Sequence, residues 1–274
     1  MTGGWQEVGE GVYRRRYRSL DLNVGAVLGD GQMLLVDTRS CQKEAAELRA
    51  DLRALTSLPC RQVVNTHAHF DHCFGNAAFR PAAVWGHPRC AEALRGQGER
   101  LRASAMRWLP EAAASLAEVQ IVPPDRLVAD RTALDLGGRR VDLVHLGRGH
   151  TDNDLVVLVP DAAVAFTGDL VEEGAPPAFE DAWPLEWPGT LDRLAEASPS
   201  VVVPGHGDAV DLAFLHGQRD EQRAMAALCR QVLEARLPAE EAVRLAPFPA
   251  ATARVAIQRT IETIAPIDST ERAP

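Results

Sequence analysis

The sequence predicts an α/β protein, built as a four-layer αβ/βα sandwich with additional helices after it. Two blocks of strand-like segments support this, around residues 23–85 and 126–203, and each block contains helical segments. Such an order favours two sheets that pack on each other and are covered outside by helices. Neither an internal repeat nor a linker interrupts the chain before about residue 210. We therefore expect a single domain over residues 1–274, with its core at about 10–210 and a C-terminal helical extension at about 211–266.

The first block begins with two apolar runs that Gly29 and Gly31 separate, a composition typical of a hairpin turn. A segment with apolar residues at spacings of three and four follows, which predicts a helix, and Ser40 is its candidate N-cap. The predicted elements are strands at 23–28 and 32–37, a helix at 41–55, strands at 62–66 and 83–85, and a helix at 88–109.

The second block contains β-rich runs broken by Asp, Gly and Pro, followed by segments of helical character. Pro238 and Pro247 are expected to interrupt the helices of the extension, because proline removes a backbone donor. The predicted elements are strands at 126–129, 132–136, 140–146, 154–159 and 162–167, a loop at 172–189, a helix at 190–197, a strand at 200–203 and helices over 212–265.

The composition excludes several classes of protein. The formal net charge of -9 argues against a nucleic-acid partner that is bound through the overall field. Residues 1–10 do not resemble a signal peptide, and apolar runs of membrane-spanning length are absent from the sequence, so we expect no membrane partner. The five cysteines form no CxxC pair, which favours a reducing compartment. We therefore expect a cytoplasmic protein with a small-molecule substrate.

A cluster of metal-ligand types directly follows the predicted strand at 62–66. The segment His67-Ala68-His69-Phe70-Asp71-His72 holds four of them in six residues. Imidazole and carboxylate both suit zinc. Residues 67 and 69 can point the same way in an extended segment, whereas Asp71 and His72 would crowd the same ion. The spacing therefore indicates two neighbouring ions.

Three further residues of ligand type follow strand-like runs. They are His150 in the segment GRGHT, Asp169 in TGD and His206 in PGHG. Because strand ends share one edge of a sheet, these side chains are expected to converge with the first cluster.

Together, HAHFDH, GRGHT, TGD and PGHG resemble the motifs of the metallo-β-lactamase-fold hydrolase superfamily, in the same order. The resemblance implies a sandwich with a dinuclear metal site, usually two Zn²⁺ per chain, with iron or manganese as alternatives. Asp169 stands where the glyoxalase II-like branch has a carboxylate that bridges both metals. By position, the first metal would be held by His67, His69 and His150, and the second by Asp71, His72 and His206.

The function that this resemblance implies is a dinuclear zinc hydrolase. A hydroxide between the metals would attack the carbonyl of a small ester, thioester or lactone, with a lactam as a side substrate. Asp71 would orient this nucleophile and is the predicted catalytic residue. The alternative is a mononuclear iron sulfur dioxygenase similar to the persulfide dioxygenases, on the same fold. The C-terminal helices are candidates for closing the pocket or for a homodimer contact.

Four residues are candidates for substrate contacts. Phe70 lies between two predicted ligands. Trp183 and Trp187 lie in a proline-rich loop, where they would either form an apolar wall beside the substrate or anchor the loop to the core. Glu172 stands where lactam-cleaving relatives carry a lysine that grips the lactam carboxylate, and a carboxylate there would repel that group. Efficient penicillin hydrolysis is therefore not expected.

The segments after Asp169 contain no Lys or Tyr, so glutathione thioesters are not favoured either. Metal-bound histidines usually donate their second N–H to an oxygen. By proximity in sequence, Asp37, Thr66 and Asp208 are the candidates for this support.

Overall fold

Two β-sheets pack face to face in the computed structural model, which describes residues 4–264. The first sheet has seven strands in chain order, antiparallel in its first half and parallel in its second. These strands are β1 (Gln6–Gly9), β2 (Val12–Arg16), β3 (Asn23–Leu28), β4 (Met33–Val36), β5 (Cys60–Val64), β6 (Ala83–Gly86) and β7 (Arg126–Leu127).

The second sheet has five strands in the order β12-β11-β10-β9-β8. Only β11 and β12 run parallel in it, because a helix crosses over between them. The strands are β8 (Arg131–Asp135), β9 (Arg140–Val144), β10 (Val156–Val159), β11 (Val164–Gly168) and β12 (Val201–Pro204).

Eight α-helices cover the outer faces of the sheets or lie at their edges within residues 4–264. Among these described residues, no helix has both the length and the apolar character needed to cross a bilayer. The helices are α1 (Gln42–Leu55), α2 (Phe70–Cys73), α3 (Pro88–Trp108), α4 (Ala113–Ala117), α5 (Trp187–Glu196), α6 (Leu212–Leu233), α7 (Ala239–Leu245) and α8 (Ala250–Ile264).

Alternating side chains build the layers. In β4, Leu34 and Val36 point into the core between the sheets, whereas Met33 and Leu35 pack outward against α1. The outer face of the second sheet is buried in the same way by α5 and by the C-terminal helices α6–α8. The four-layer architecture with additional C-terminal helices is therefore confirmed.

The C-terminal helices are interrupted at the two prolines, as predicted. Pro238 lies between α6 and α7, and Pro247 lies between α7 and α8. The predicted cap of α1 is wrong. Cys41 occupies the N-cap position, and the side chain of Glu44 instead accepts a hydrogen bond from the Ser40 backbone N–H at 3.2 Å. The predicted end of the extension, at residues 265 and 266, lies outside the described residues.

Candidate metal centre

All seven predicted ligands lie together at one edge of the two sheets. The segment 67–72 follows β5 of the first sheet, and its last residues form α2. His150, Asp169 and His206 follow β9, β11 and β12 of the second sheet. The site is therefore assembled from both sheets, and the loops at their ends bring the side chains inward.

The first group of ligand atoms belongs to His67, His69, His150 and Asp169, and all of them lie within 4.8 Å of one another. His69 Nδ1 and His150 Nε2 are 3.0 Å apart, and Asp169 Oδ2 lies 3.6 Å from His67 Nε2 and 3.5 Å from His150 Nε2. Ligands at tetrahedral positions around zinc are separated by ~3.3 Å. The group therefore has the size of a zinc site.

The second group consists of Asp71, His72 and His206. The Nε2 atoms of the two histidines are 3.4 Å apart, and each lies 3.5 Å from Asp71 Oδ2. Its donor types and spacing match those of the first group.

The carboxylate of Asp169 lies between the two groups. In addition to its contacts with the first group, Oδ2 lies 3.3 Å from His206 Nε2, and Oδ1 lies 3.3 Å from His72 Nε2. A Cβ atom built on Gly205 would overlap Asp169 Oδ1, so the chain leaves this space to the carboxylate. This is the position of an oxygen ligand that two cations could share.

Two unpartnered atoms indicate that the site suits a metal. His67 Nε2 and Asp169 Oδ1 are buried and find no hydrogen-bond partner among residues 4–264. An unsatisfied buried polar atom costs about 1–3 kcal/mol. A cation coordinated by these atoms would remove that cost, and the imidazole and carboxylate donors suit a divalent metal ion.

Buried outer contacts orient His72. Its Nδ1 lies 2.8 Å from Asp37 Oδ2, and Asp37 also accepts hydrogen bonds from the backbone N–H and the hydroxyl of Thr66. The backbone of Asp37 has φ +64°, which is unusual for a residue with a side chain and indicates local strain at the site. Asp37 and Thr66 thus occupy the supporting positions predicted from sequence.

His69 and His206 have their own outer acceptors. His69 Nε2 lies 3.0 Å from Asp181 Oδ2, and His206 Nδ1 lies 2.7 Å from the carbonyl oxygen of Leu20. Sequence reasoning did not find Asp181, because this acid lies in an irregular loop and no motif spacing marks it. Asp208 was wrongly predicted to support a ligand, since it is exposed and pairs with Arg14 and Arg16 instead.

In the metal-free site, the carboxylates of Asp169 and Asp181 raise the pKa of two histidines, whereas burial lowers the pKa of a third. Burial alone would lower the pKa of His206, but Asp169 outweighs burial and raises it to about 10. Asp181 likewise raises the pKa of His69 to about 9 against the effect of burial. Burial dominates at His150 and lowers its pKa to about 4.

The four predicted substrate-contact residues lie in different surroundings. Phe70 is half-buried, and its ring centre is 6.1 Å from that of Trp108, whose side chain is 66% exposed. Trp183 is half-buried beneath the guanidinium of Arg148, which lies 3.7 Å from the ring centre.

The other two candidates are buried. Trp187 is completely buried, donates to the Leu170 carbonyl at 3.1 Å and lies against His150. It therefore anchors the loop to the core and presents no wall to a substrate in this conformation. The Glu172 carboxylate is buried 3.8 Å from Nδ1 of His150, on the ring edge that faces away from the ligand group.

Comparison with known proteins identifies relatives of this chain. A family model described as the metallo-beta-lactamase superfamily matches residues 20–206. The acyl-coenzyme A thioesterase MBLAC2 of Bos taurus is 28% identical, over 83% of this chain and 89% of its own. The type 2 metallo-beta-lactamase of Bacillus cereus is 25% identical, over 70% of this chain and 69% of its own.

Solved structures share the fold. A metallo-beta-lactamase from Pontibacter korlensis superposes with a TM-score of 0.64 at 21% identity, covering 80% of this chain and 98% of its own. A double mutant of the sec-alkyl sulfatase PisA1 gives a TM-score of 0.79 at 16% identity, covering 97% of this chain and 51% of its own. The latter likeness extends over nearly the whole chain and so includes the C-terminal helices.

Proposed function

Because the chain belongs to the metallo-beta-lactamase superfamily and is an enzyme of that superfamily, we propose that it is a dinuclear zinc hydrolase of small thioesters. One observation carries the dinuclear part of this proposal. Asp169 Oδ2 lies 3.3–3.6 Å from ligand nitrogens of both groups, at His206, His150 and His67. A carboxylate in this position suits two cations that lie close together.

The preference for a thioester rests on the relatives. The thioesterase from Bos taurus is 28% identical over 83% of this chain, whereas the type 2 metallo-beta-lactamase of Bacillus cereus is 25% identical over 70%. Esters and lactones present the same kind of acyl carbon and remain within the proposed range. A lactam remains a side substrate, because the resemblance places the buried Glu172 where lactam-cleaving relatives carry a lysine, so this position offers no cation to the lactam carboxylate.

The metal is proposed to be zinc, with iron or manganese as the alternatives. The donor set consists of five imidazoles and two carboxylates, and zinc accepts both types. The rival function, a mononuclear iron dioxygenase, would leave Asp71, His72 and His206 without a metal, although their ligand atoms lie within 4.8 Å of one another. The second group therefore favours hydrolysis.

When bound, a pair of divalent ions lowers the pKa of water and polarises a carbonyl group. The chain contributes the charge and the geometry. Asp71 and Asp169 supply two negative charges and the imidazoles bind as neutral ligands, so the loaded site keeps a net positive charge that stabilises a developing oxyanion. We propose that Asp71 accepts a hydrogen bond from the nucleophile and orients it, and that the half-buried ring of Phe70 contacts the acyl group.

Metal content and a substrate panel test this function. We expect two zinc ions per chain by mass spectrometry, and the highest kcat/KM for acyl-coenzyme A thioesters in a panel that also holds lactones and a chromogenic cephalosporin. One iron per chain together with oxygen uptake would establish the dioxygenase alternative. A protein that binds two metal ions but hydrolyses only lactones would support the dinuclear site and refute the proposed thioester substrate.

Loss of a predicted ligand should remove turnover. We expect His69→Ala and Asp71→Ala to lower kcat/KM by more than about 100-fold, because changes outside the coordination sphere already cost 10- to 100-fold. His216→Ala is the matched control, since His216 lies on α6 and contacts Arg219 outside the site. Near-full activity of either ligand variant would show that the roles are wrongly assigned.

A further inference from the structure

We propose that Arg259, on the C-terminal helix α8, is a positioning residue of the metal centre and acts on His69 through Asp181. The inference rests on the proposed function, because it assumes that His69 is a metal ligand. It extends the site beyond residues 20–206, which the family model matches, into the C-terminal helices.

Arg259 holds the turn that carries Asp181. Its Nε donates to the carbonyl oxygen of Ala182 at 3.0 Å, and its Nη2 donates to the carbonyl oxygen of Asp181 at 3.2 Å. The Arg259 side chain is only 23% exposed. One guanidinium therefore binds two consecutive carbonyl groups, which fixes both the position and the orientation of this piece of backbone.

The carboxylate of Asp181 transmits this placement to His69. Asp181 Oδ2 lies 3.0 Å from His69 Nε2, and His69 Nδ1, the opposite nitrogen of the ring, lies 3.0 Å from His150 Nε2 inside the first ligand group. An acceptor at Nε2 keeps the proton there and leaves the lone pair of Nδ1 free to face a metal. The orientation of His69 therefore depends on where Asp181 stands.

Asp181 needs external support. The side chain is 51% exposed, so packing alone does not fix it. The surrounding segment, between β11 and α5, forms neither a strand nor a helix. A carboxylate on such a loop is held by the contacts that the loop makes with its neighbours, and Arg259 makes its contacts at Asp181 itself and at the next residue.

The same loop is attached to the C-terminal part of the chain at other places as well. Arg230 of α6 donates to the carbonyl oxygen of Leu185 at 3.2 Å. The ring of Phe179 lies between those of Phe248 and Trp187, at centre distances of 5.8 and 5.4 Å. These contacts hold the loop on both sides of Asp181, at Phe179 and at Leu185, so the loss of Arg259 should release the turn at Asp181 without detaching the whole segment.

The experiment measures zinc affinity of the full-length, metal-free protein by competition with a chelating dye. The variants are Arg259→Met, which keeps an apolar stem but no donors, Arg259→Lys, Asp181→Asn, and the double variant Arg259→Met/Asp181→Asn. Arg254→Met is the matched control, because Arg254 lies on the same helix and pairs with the exposed Glu240 at 2.9 Å. The unfolding midpoint of each metal-free variant is recorded to separate metal affinity from stability.

We expect Arg259→Met to weaken zinc binding about tenfold, in the range found for groups that support metal ligands. Arg254→Met should bind zinc as the parent protein does, and Arg259→Lys should recover part of the loss. If Arg259 acts through Asp181, its replacement in the Asp181→Asn background should change the affinity by less than about twofold.

Two results would overturn the inference. One is Arg259→Met with parental affinity, and the other is an equal loss in both backgrounds, which would mean that Arg259 does not act through Asp181. Should Arg259→Met fail to fold, Arg259→Lys replaces it in the same cycle and must show the same dependence on Asp181. Parent protein that binds no metal would overturn the proposed function, and this inference with it.

Discussion

Individual side chains in the site control the protonation of the imidazoles around them. The hydroxyl of Thr66 lies 2.8 Å from Asp37 Oδ2 and 3.1 Å from His67 Nδ1, so it donates to the carboxylate and can accept from the ring. This arrangement leaves the lone pair of His67 Nε2 directed at the ligand group. Asp37 holds the Nδ1–H of His72, so that Nε2 is the nitrogen that faces the ligand group, and these contacts orient two ligands before a metal arrives.

The protonation of the metal-free site predicts a pH dependence. His69 and His206 have pKa values raised to about 9 and about 10, so both imidazoles are positively charged at pH 7. Each must lose one proton when it binds zinc. The raised pKa values stabilise the metal-free fold fully below about pH 6.5, and this stabilisation is lost as the pH rises through 9 to 10. The apparent zinc affinity should therefore rise from pH 7 to about 9.

Proton release during a zinc titration at pH 7, followed with an indicator dye, measures this effect. Asp181→Asn is the informative comparison, because the loss of the carboxylate lowers the pKa of His69 and should reduce the number of protons released. An affinity that stays flat between pH 7 and 9 would contradict the argument.

The seven ligand-type residues could be selected from sequence because histidine and aspartate in tight motifs are rare by chance and follow strand-like runs. The structure brings all of them together. Asp181 could not be found, since its approach to His69 spans 112 positions and depends on how an irregular loop folds. The burial of Trp187 depends on how helices pack on a sheet, and this packing cannot be predicted from the type of one residue.

At the scale of secondary-structure elements, the parallel pairing of β11 and β12 sets the geometry of the site. Gly168 of β11 pairs with Pro204 of β12, so the next residues, Asp169 and Gly205, leave the sheet side by side. The Gly205 N–H donates to the Gly168 carbonyl at 2.8 Å and continues the pairing by one step. Any side chain at position 205 would have to displace the Asp169 carboxylate.

We therefore expect Gly205→Ala to weaken zinc binding by at least about tenfold and to lower the free energy of unfolding by about 1–3 kcal/mol, the usual cost of overpacking. Zinc competition and denaturant unfolding measure the two effects. Gly217→Ala on α6 is the matched control, because a Cβ atom there meets open space. It should leave zinc binding unchanged and stabilise the helix by up to ~1 kcal/mol. Equal zinc affinity in both variants would refute the steric argument.

Elements with a clear apolar pattern were predictable, whereas polar ones were not. The segment Val12–Arg16 forms β2 although three of its five residues are arginines. Arg14 can be buried because its guanidinium donates to Asp208 and to the Gly207 carbonyl, which are distant in sequence. A local sequence pattern does not predict such a pairing. The one-turn helix α2 is too short for its periodicity to be recognised beside the HAHFDH motif.

At the scale of the whole molecule, the site joins the two halves of the sandwich. One set of ligands follows β5 of the first sheet, and the other follows β9, β11 and β12 of the second. Asp169 contacts histidines from both sets. Bound metal would therefore connect the sheets at this edge, in addition to the apolar core that packs between them.

This connection predicts that metal contributes to global stability without being required for folding. The core between the sheets includes Leu34, Val157 and Phe166, all buried, and it remains when the metal is removed. A ligand present at 1,000 times its Kd stabilises the native state by about 4 kcal/mol, which corresponds to ~10 °C in Tm for a chain of this size. Chelation should therefore lower Tm by about this amount and leave the far-ultraviolet circular dichroism at 25 °C unchanged.

Added zinc should restore the original Tm in the parent protein, and it should restore much less in Asp71→Ala, whose second ligand group is incomplete. An unchanged Tm after verified metal removal would mean that the sheets gain nothing from being connected at this edge. Complete unfolding on chelation would mean that the core between the sheets is too weak to hold them together, so that the ligands, and not the apolar packing, determine the fold.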